Sequence, residues 1–212
     1  MRALHELIEK TEPGIDLVRG WLAQATHPCE LLPVDRAAGE RALVALQITS
    51  RSPMGALALE SGGMLIDHGW VRILGGGSPR LSRTLPEWNG IPDRPRLTGT
   101  MLVGDDVVGG FFAVNGGGLG DDRGAVYYFA PDTLAWEKIA DSYSHWLAQM
   151  ISADLDKFYE GYRWSGWQAD AAALDGDRAF LLYPFPSTTG PAFSQRHRGV
   201  VPIEEIWGLF VG

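Results

Sequence analysis

The sequence predicts an α+β fold in a single domain over residues 1–212: N-terminal helices, then a mixed, mostly antiparallel central sheet with flanking helices. Three observations carry this reading. Segments with apolar residues at helical spacing alternate with short apolar runs of strand length. Glycine occurs 27 times in 212 residues, well above the roughly 7% of average usage, so the short runs are punctuated by tight turns. The chain is 45% hydrophobic and 21% charged, which suits a packed core and excludes the composition of a disordered chain.

In chain order, Leu4, Leu7 and Ile8 share one helical face over residues 2–10, and Pro13-Gly14 ends that segment. Ile15, Val18, Trp21, Leu22 and Ala25 form the stripe of a second helix to about residue 26. Residues 31–34 read as a short strand, and Asp35 as the N-cap of a third helix with Ala42, Leu43 and Leu46 inward. Residues 56–60, 64–67 and 70–74 are apolar runs divided by Gly62-Gly63 and Gly69, the pattern of a strand meander. Residues 75–99 contain Pro79, Pro86, Pro92 and Pro95 and read as an irregular crossing with one helical turn near 85–89. Three strands follow at 100–103, 110–114 and 125–129, with a fourth at 134–137 after Pro131-Asp132. One long helix spans 142–160, capped by Asp141 or Ser142, with Tyr143, Trp146, Leu147, Met150, Ile151, Leu155, Phe158 and Tyr159 on its apolar stripe. A helix at about 166–174, a strand at 179–185 and a tail close the chain.

The net charge of −8 argues against nucleic acid and against an anionic membrane surface, both of which need a basic face. No apolar stretch approaches the roughly 20 residues of a membrane span, and the opening MRALHELIEKTEP reads as an amphipathic helix rather than a secretion signal. Cys29 is the only cysteine, which precludes an intrachain disulfide and fits a cytoplasmic protein. The five histidines show neither HxH nor HExxH spacing, so no metal and no cofactor is expected. Gly75-Gly76-Gly77 and Gly116-Gly117-Gly118 are not followed by the Lys-Ser/Thr of a phosphate-binding loop and read as turns.

The carboxylates say more. Residues 100–160 hold ten acids against three bases, −7 of the total −8, and a localised negative field draws a basic partner. Asp105-Asp106 and Asp121-Asp122 read as loop pairs, either solvated turn formers or a contact patch; holding a divalent cation or acid–base work is the chemical alternative. Asp67-His68 stands at a strand end, where a carboxylate can orient an imidazole only if the turn at Gly69 redirects one of the two side chains. Eight tryptophans exceed what a core of this size needs, leaving Trp88 and Trp136 as candidate anchors.

The series Met101-Leu102-Val103-Gly104-Asp105-Asp106, Gly110-Phe111-Phe112-Ala113-Val114-Asn115, Ala125-Val126-Tyr127-Tyr128-Phe129 and Trp136-Glu137-Lys138-Ile139-Ala140-Asp141-Ser142, followed by an aromatic-rich helix, resembles the core of the SUKH superfamily over residues 100–151. Across nearly the whole chain, Leu32-Pro33-Val34-Asp35, Thr49 to Gly55, Asp67-His68-Gly69-Trp70, Tyr128 to Leu134 and Glu204 to Leu209 resemble an uncharacterised bacterial family, domain-of-unknown-function family 2625. The SUKH resemblance implies a mixed sheet flanked by helices and a common role as an immunity protein that binds and blocks a bacterial toxin. The helix, strand and tail over 161–212 and the Arg/Pro segment at 75–99 depart from that pattern.

The expectation is therefore a protein-binding module without catalytic activity, of the toxin-immunity type, whose partner is a basic protein such as a toxin domain. Its contact candidates are Asp105, Asp106, Asp121, Asp122, Trp88 and Trp136. The rival expectation is a hydrolase or small-ligand-binding protein that sets Asp67 and His68 in a cleft with one of the two aspartate pairs.

Overall fold

In the computed structural model, which describes residues 1–212, seven strands form one sheet in strict chain order: β1 (Cys29–Leu32), β2 (Gly63–Ile66), β3 (Val71–Leu74), β4 (Thr100–Asp106), β5 (Phe111–Asn115), β6 (Val126–Ala130) and β7 (Ala135–Ala140). Every neighbouring pair is antiparallel, so the sheet, expected to be mostly antiparallel, is wholly so. Short turns impose this: strands joined by a few residues reverse direction, whereas a parallel neighbour needs a long crossover. The two long insertions, between β1 and β2 and between β3 and β4, return to the adjacent position and keep the alternation.

The first insertion is a pair of helices, α3 (Arg36–Leu46) and α4 (Pro53–Glu60). Asp35 caps α3 by accepting from the Ala38 N–H at 2.9 Å. The expected strand at 56–60 is a helix. The Ser52 hydroxyl accepts from the Gly55 N–H at 3.1 Å and Pro53 opens the first turn, which are start signals of a helix. The run is apolar because α4 is buried nearly all round. Gly39 permits the close approach of α3 to α4: a Cβ there would lie 2.1 Å from the Leu59 carbonyl oxygen.

Two short helices precede the sheet, α1 (Leu4–Leu7) and α2 (Gly14–Leu22), and α5 (Leu85–Trp88) lies in the second insertion. After β7 come α6 (Tyr143–Ser152), α7 (Leu155–Phe158) and α8 (Trp167–Ala173). A separate hairpin, β8 (Arg178–Tyr183) with β9 (His197–Pro202), leads into α9 (Ile203–Phe210), so the tail is structured where the sequence suggested none.

The expected single helix at 142–160 is two. Ala153 is extended, and the Asp154 side chain accepts from the Lys157 N–H at 3.1 Å, capping α7 anew. The carbonyls freed at the end of α6 find distant donors: the Thr26 N–H reaches Ile151 at 3.2 Å and the His27 ring meets Ala153. The stripe itself is central to the core as expected, with Trp146, Leu147 and Ile151 fully buried.

Aromatic side chains fasten both faces of the sheet. On one, Trp146 of α6 packs against Phe112 at 5.1 Å; on the other, Trp207 of α9 packs edge-on against Phe111 at 5.0 Å. One apolar cluster runs from Ile15 in α2 through the sheet to Trp207. No helix is long and apolar enough to cross a membrane.

Candidate protein-interaction site

Asp105 and Asp106 are not surface residues. Both are completely buried, because β4 continues past its expected end at 103 to Asp106 and lies between β3 and β5. As consecutive strand residues they serve opposite faces. Asp105 receives two guanidiniums: Arg72 Nε donates to Oδ1 and Arg83 Nη1 to Oδ2, each at 2.6 Å. Arg83 also reaches Asp177 at 2.8 Å, tying the C-terminal hairpin to the sheet. Burial pulls Arg72 below the usual arginine range, while for Arg83 burial is outweighed by the Asp105 charge, which pushes it up. Asp106 accepts from Tyr128 at 2.7 Å and Tyr159 at 3.2 Å through Oδ2, and from the Val108 and Gly110 N–H groups at 3.0 and 2.9 Å through Oδ1. Burial nevertheless pushes its carboxyl above the ordinary range. Gly110 is required here, since a Cβ would lie 2.3 Å from Asp106 Oδ2. These two aspartates are therefore withdrawn from the contact surface: they are core groups made tolerable by dense pairing.

Trp88 is likewise core. At 3% exposure it lies between Arg83 and Arg96, with guanidinium carbons 4.6 and 3.9 Å from its ring centroid, and it meets Trp207 edge-on. It cannot anchor a partner without unfolding that stack. Trp136 is half-buried on the edge strand β7, its ring 5.4 Å from Phe129. Asp121 is exposed, and Asp122, half-buried, accepts from the Tyr127 hydroxyl at 2.8 Å and pairs with Lys138 at 3.2 Å. The Tyr127 hydroxyl, with help from Lys138, holds the Asp122 carboxyl below its ordinary range.

Asp67 and His68 form the turn between β2 and β3, both left-handed at φ 54° and 61°. The turn separates their side chains. Asp67 is buried and paired with Arg163, whose guanidinium carbon lies 3.9 Å from the Trp167 ring centroid. His68 is exposed, its ring edge-on to Trp167 at 5.9 Å. A cleft of about 300 Å³ beside it includes Cys29, Glu30 and Arg80. Burial, aided by the Asp67 charge, pushes the Cys29 thiol up to about 11, so the sulfur there is a thiol at neutral pH and not an activated nucleophile. Neither the 105–106 nor the 121–122 aspartates line this cleft, and no three His, Cys, Asp or Glu side chains converge to hold a metal ion.

A different recess lies beside the acidic edge of the sheet. It encloses about 500 Å³ between β7 and the α6–α7 break, and five of its eight lining residues are apolar: Ile139, Met150, Ala153, Leu155 and Phe158. Two local features build it. The register of β7 on β6 passes from Lys138–Tyr127 to Ala140–Val126, so Ile139 is an extra, bulged residue that lines the groove. The chain break at Ala153-Asp154 turns α7 away from the α6 axis and leaves Phe158 36% exposed at the mouth. Of the carboxylates, Asp154 lines the groove together with Lys157; Asp121, Glu137, Asp141, Asp156 and Glu160 are exposed on the adjoining segments, with Asp141 paired to Lys138 and Asp156 to Arg163. Over residues 121–160 eight carboxylates stand against three bases, and the buried pair 105–106 has left this count. Sequence periodicity missed the groove because Met150, Leu155 and Phe158 fit a continuous buried stripe; Asp154, a good N-cap inside that stripe, was the available signal.

Two relatives frame the chain. It is 44% identical over 211 residues, 99% of this chain and 95% of the relative, to an uncharacterized protein, YbfG, of Escherichia coli (strain K12). It is 37% identical over 187 residues, 87% of this chain and 82% of the relative, to an uncharacterized protein of Haemophilus influenzae (strain ATCC 51907 / DSM 11121 / KW20 / Rd). The family model DUF2625, protein of unknown function, matches residues 4–206, and the chain belongs to that family.

Proposed function

We propose that the chain is a protein-binding module whose contact surface is the groove between β7 and the α6–α7 break. The observation that carries this reading is the coincidence, on one open edge of the sheet, of a 500 Å³ apolar recess with a run of exposed carboxylates. An apolar pocket supplies the anchor point that dominates interface energies, and a charged rim sets the partner's sign and speeds its approach. The partner is accordingly a basic protein that presents an apolar side chain. The resemblance of residues 100–151 to the SUKH core supports a toxin domain as that partner and an immunity role in the cytosol, where a lone thiol stays reduced. The chain binds and covers; its role needs no bond-making chemistry.

Site-specific photocrosslinking tests this. A benzophenone amino acid replaces Phe158 at the groove mouth in one sample and Leu17, 50% exposed on α2, in another. The reading expects position 158, and not 17, to capture a discrete basic protein in bacterial cells, with capture lost in high salt and in Ile139→Glu. Identical captures at both positions, or capture indifferent to Ile139→Glu, would remove the groove from the account.

A further inference from the structure

We infer that β7 is a docking edge: an extended, basic segment of the partner adds to the sheet as an eighth strand and lowers one apolar side chain into the groove at Ile139. This rests on the protein-binding reading above and specifies its mode.

β7 pairs only with β6, and no other residue of the chain donates to or accepts from its backbone. Its outer N–H and C=O groups thus form an open ladder, the template on which strand addition works. Proteins usually guard such an edge with proline, a protruding lysine or a bulge. β7 reads Ala-Trp-Glu-Lys-Ile-Ala and has no proline. Its one lysine is drawn aside: the Lys138 amine is held by Asp141 at 2.8 Å and Asp122 at 3.2 Å, which neutralises it and leaves Glu137 as the unmatched charge of the strand. The bulge falls at Ile139, after a regular stretch from Ala135 to Lys138 in register with β6. It does not interrupt that stretch, and its extra residue lines the recess.

Charge selects the occupant. Glu137 is exposed on β7 itself, and Asp154 lines the groove with Lys157. Asp121, in the loop whose Asp122 pairs with Lys138, and Glu160, just after α7, are exposed as well. The balance of charge is negative, so an acidic strand would meet like charge and a basic one is attracted. The opposite edge of the sheet, β1, offers four residues against six, and its neighbour Arg80 is matched to Glu30 at 2.6 Å. That edge carries no comparable field. Backbone hydrogen bonds to β7 supply affinity, and the alternate side chain entering the groove supplies selection.

The test uses the full chain and a seven-residue peptide of alternating Lys and apolar residues, Lys-Val-Lys-Leu-Lys-Val-Lys with blocked ends. A second peptide is identical but N-methylated at alternate positions on each edge, which removes strand donors and keeps charge and side chains. The inference expects the first peptide to slow amide exchange in β7 and to bind about tenfold or more tightly than the second, since losing two net hydrogen bonds already amounts to that factor. Binding of the first should also weaken about tenfold between low and high salt. Equal affinity of the two peptides, or binding of neither, overturns strand addition. If the two bind equally but both lose affinity in salt and in Ile139→Glu, the groove stands and only the mode is wrong. If salt and Ile139→Glu change nothing, the groove reading falls with it. Glu137→Lys, an exposed change that leaves the fold intact, must lower affinity for the first peptide in either case where the groove holds.

Discussion

Replacing Asp105 by alanine leaves the guanidiniums of Arg72 and Arg83 facing each other across a buried void. Arg72 is 1% exposed and cannot reach water, and its remaining partners are the carbonyls of Asp106 and Arg178. Arg83 keeps Asp177, so the unmatched charge is one, not two. Removing one partner of a buried ion pair costs about 3–5 kcal/mol, because the other is left desolvated. For a chain of this size each kcal/mol moves the melting temperature by roughly 2–4 °C, so Asp105→Ala should melt roughly 6–20 °C below wild type in a circular dichroism scan at pH 7. Asp105→Leu with Arg72→Met removes both charges and keeps Arg83 paired; that variant should recover at least half of the loss, as apolar replacements of buried ion pairs generally do. Asp121→Ala, on an exposed loop, should stay within about 0.5 kcal/mol of wild type. An Asp105→Ala protein melting within about 2 °C of wild type would mean that the carboxylate is solvated and that the core network is misassigned.

Asp106 carries the pH prediction. Its folded carboxyl lies above the ordinary range because it is buried, so the native state holds a proton that the unfolded chain releases, and this contribution to stability declines as pH rises above about 4. Asp106→Asn should therefore gain on wild type between pH 4 and pH 7 in paired melting curves, and a flat difference would contradict the raised value. Trp146→Ala, which empties a fully buried site beside Phe112, should cost about 3–5 kcal/mol in urea unfolding; a near-wild-type midpoint would place that helix face elsewhere. Cys29, with its thiol pushed up to about 11, holds about a thousandth of its population as thiolate at pH 8, so alkylation by iodoacetamide should be slow there and rise about tenfold per pH unit. A fast, pH-independent reaction would reveal an activated thiol.

The strands of the sheet were legible because glycines and short turns punctuate them and each is a compact apolar run. Helix α4 was not: its Ser52-Pro53 start resembles a turn, and an eight-residue segment buried all round has no polar face to betray a helical period. Asp105 and Asp106 were misplaced for a different reason. Beside glycines they look like turn formers, and the partners that bury them are 33 positions away in Arg72 and 53 in Tyr159, a separation that local pattern does not carry. Trp88 shared that error, since Trp207, which meets it edge-on, lies 119 positions on. Asp121, Asp122 and Trp136 do lie on or near the acidic edge. The groove itself arises from a bulge and a helix break, and both depend on long-range contacts, the register on β6 and the bonds from Thr26 and His27.

The most direct test of the account is the affinity of the protein captured from the groove mouth for two forms of the chain, wild type and one with Asp121, Glu137, Asp154 and Glu160 changed to lysine, measured by biolayer interferometry at about 0.1 M salt, where the screening length is about 10 Å. The account predicts an association rate at least about tenfold slower for the reversed form, with a melting temperature lowered only by the roughly 2–4 °C that loss of the Asp154 cap on α7 costs, because the other three positions are exposed and cap nothing. Unchanged association at that stability would show that the acidic edge is solvated surface and that the partner binds elsewhere.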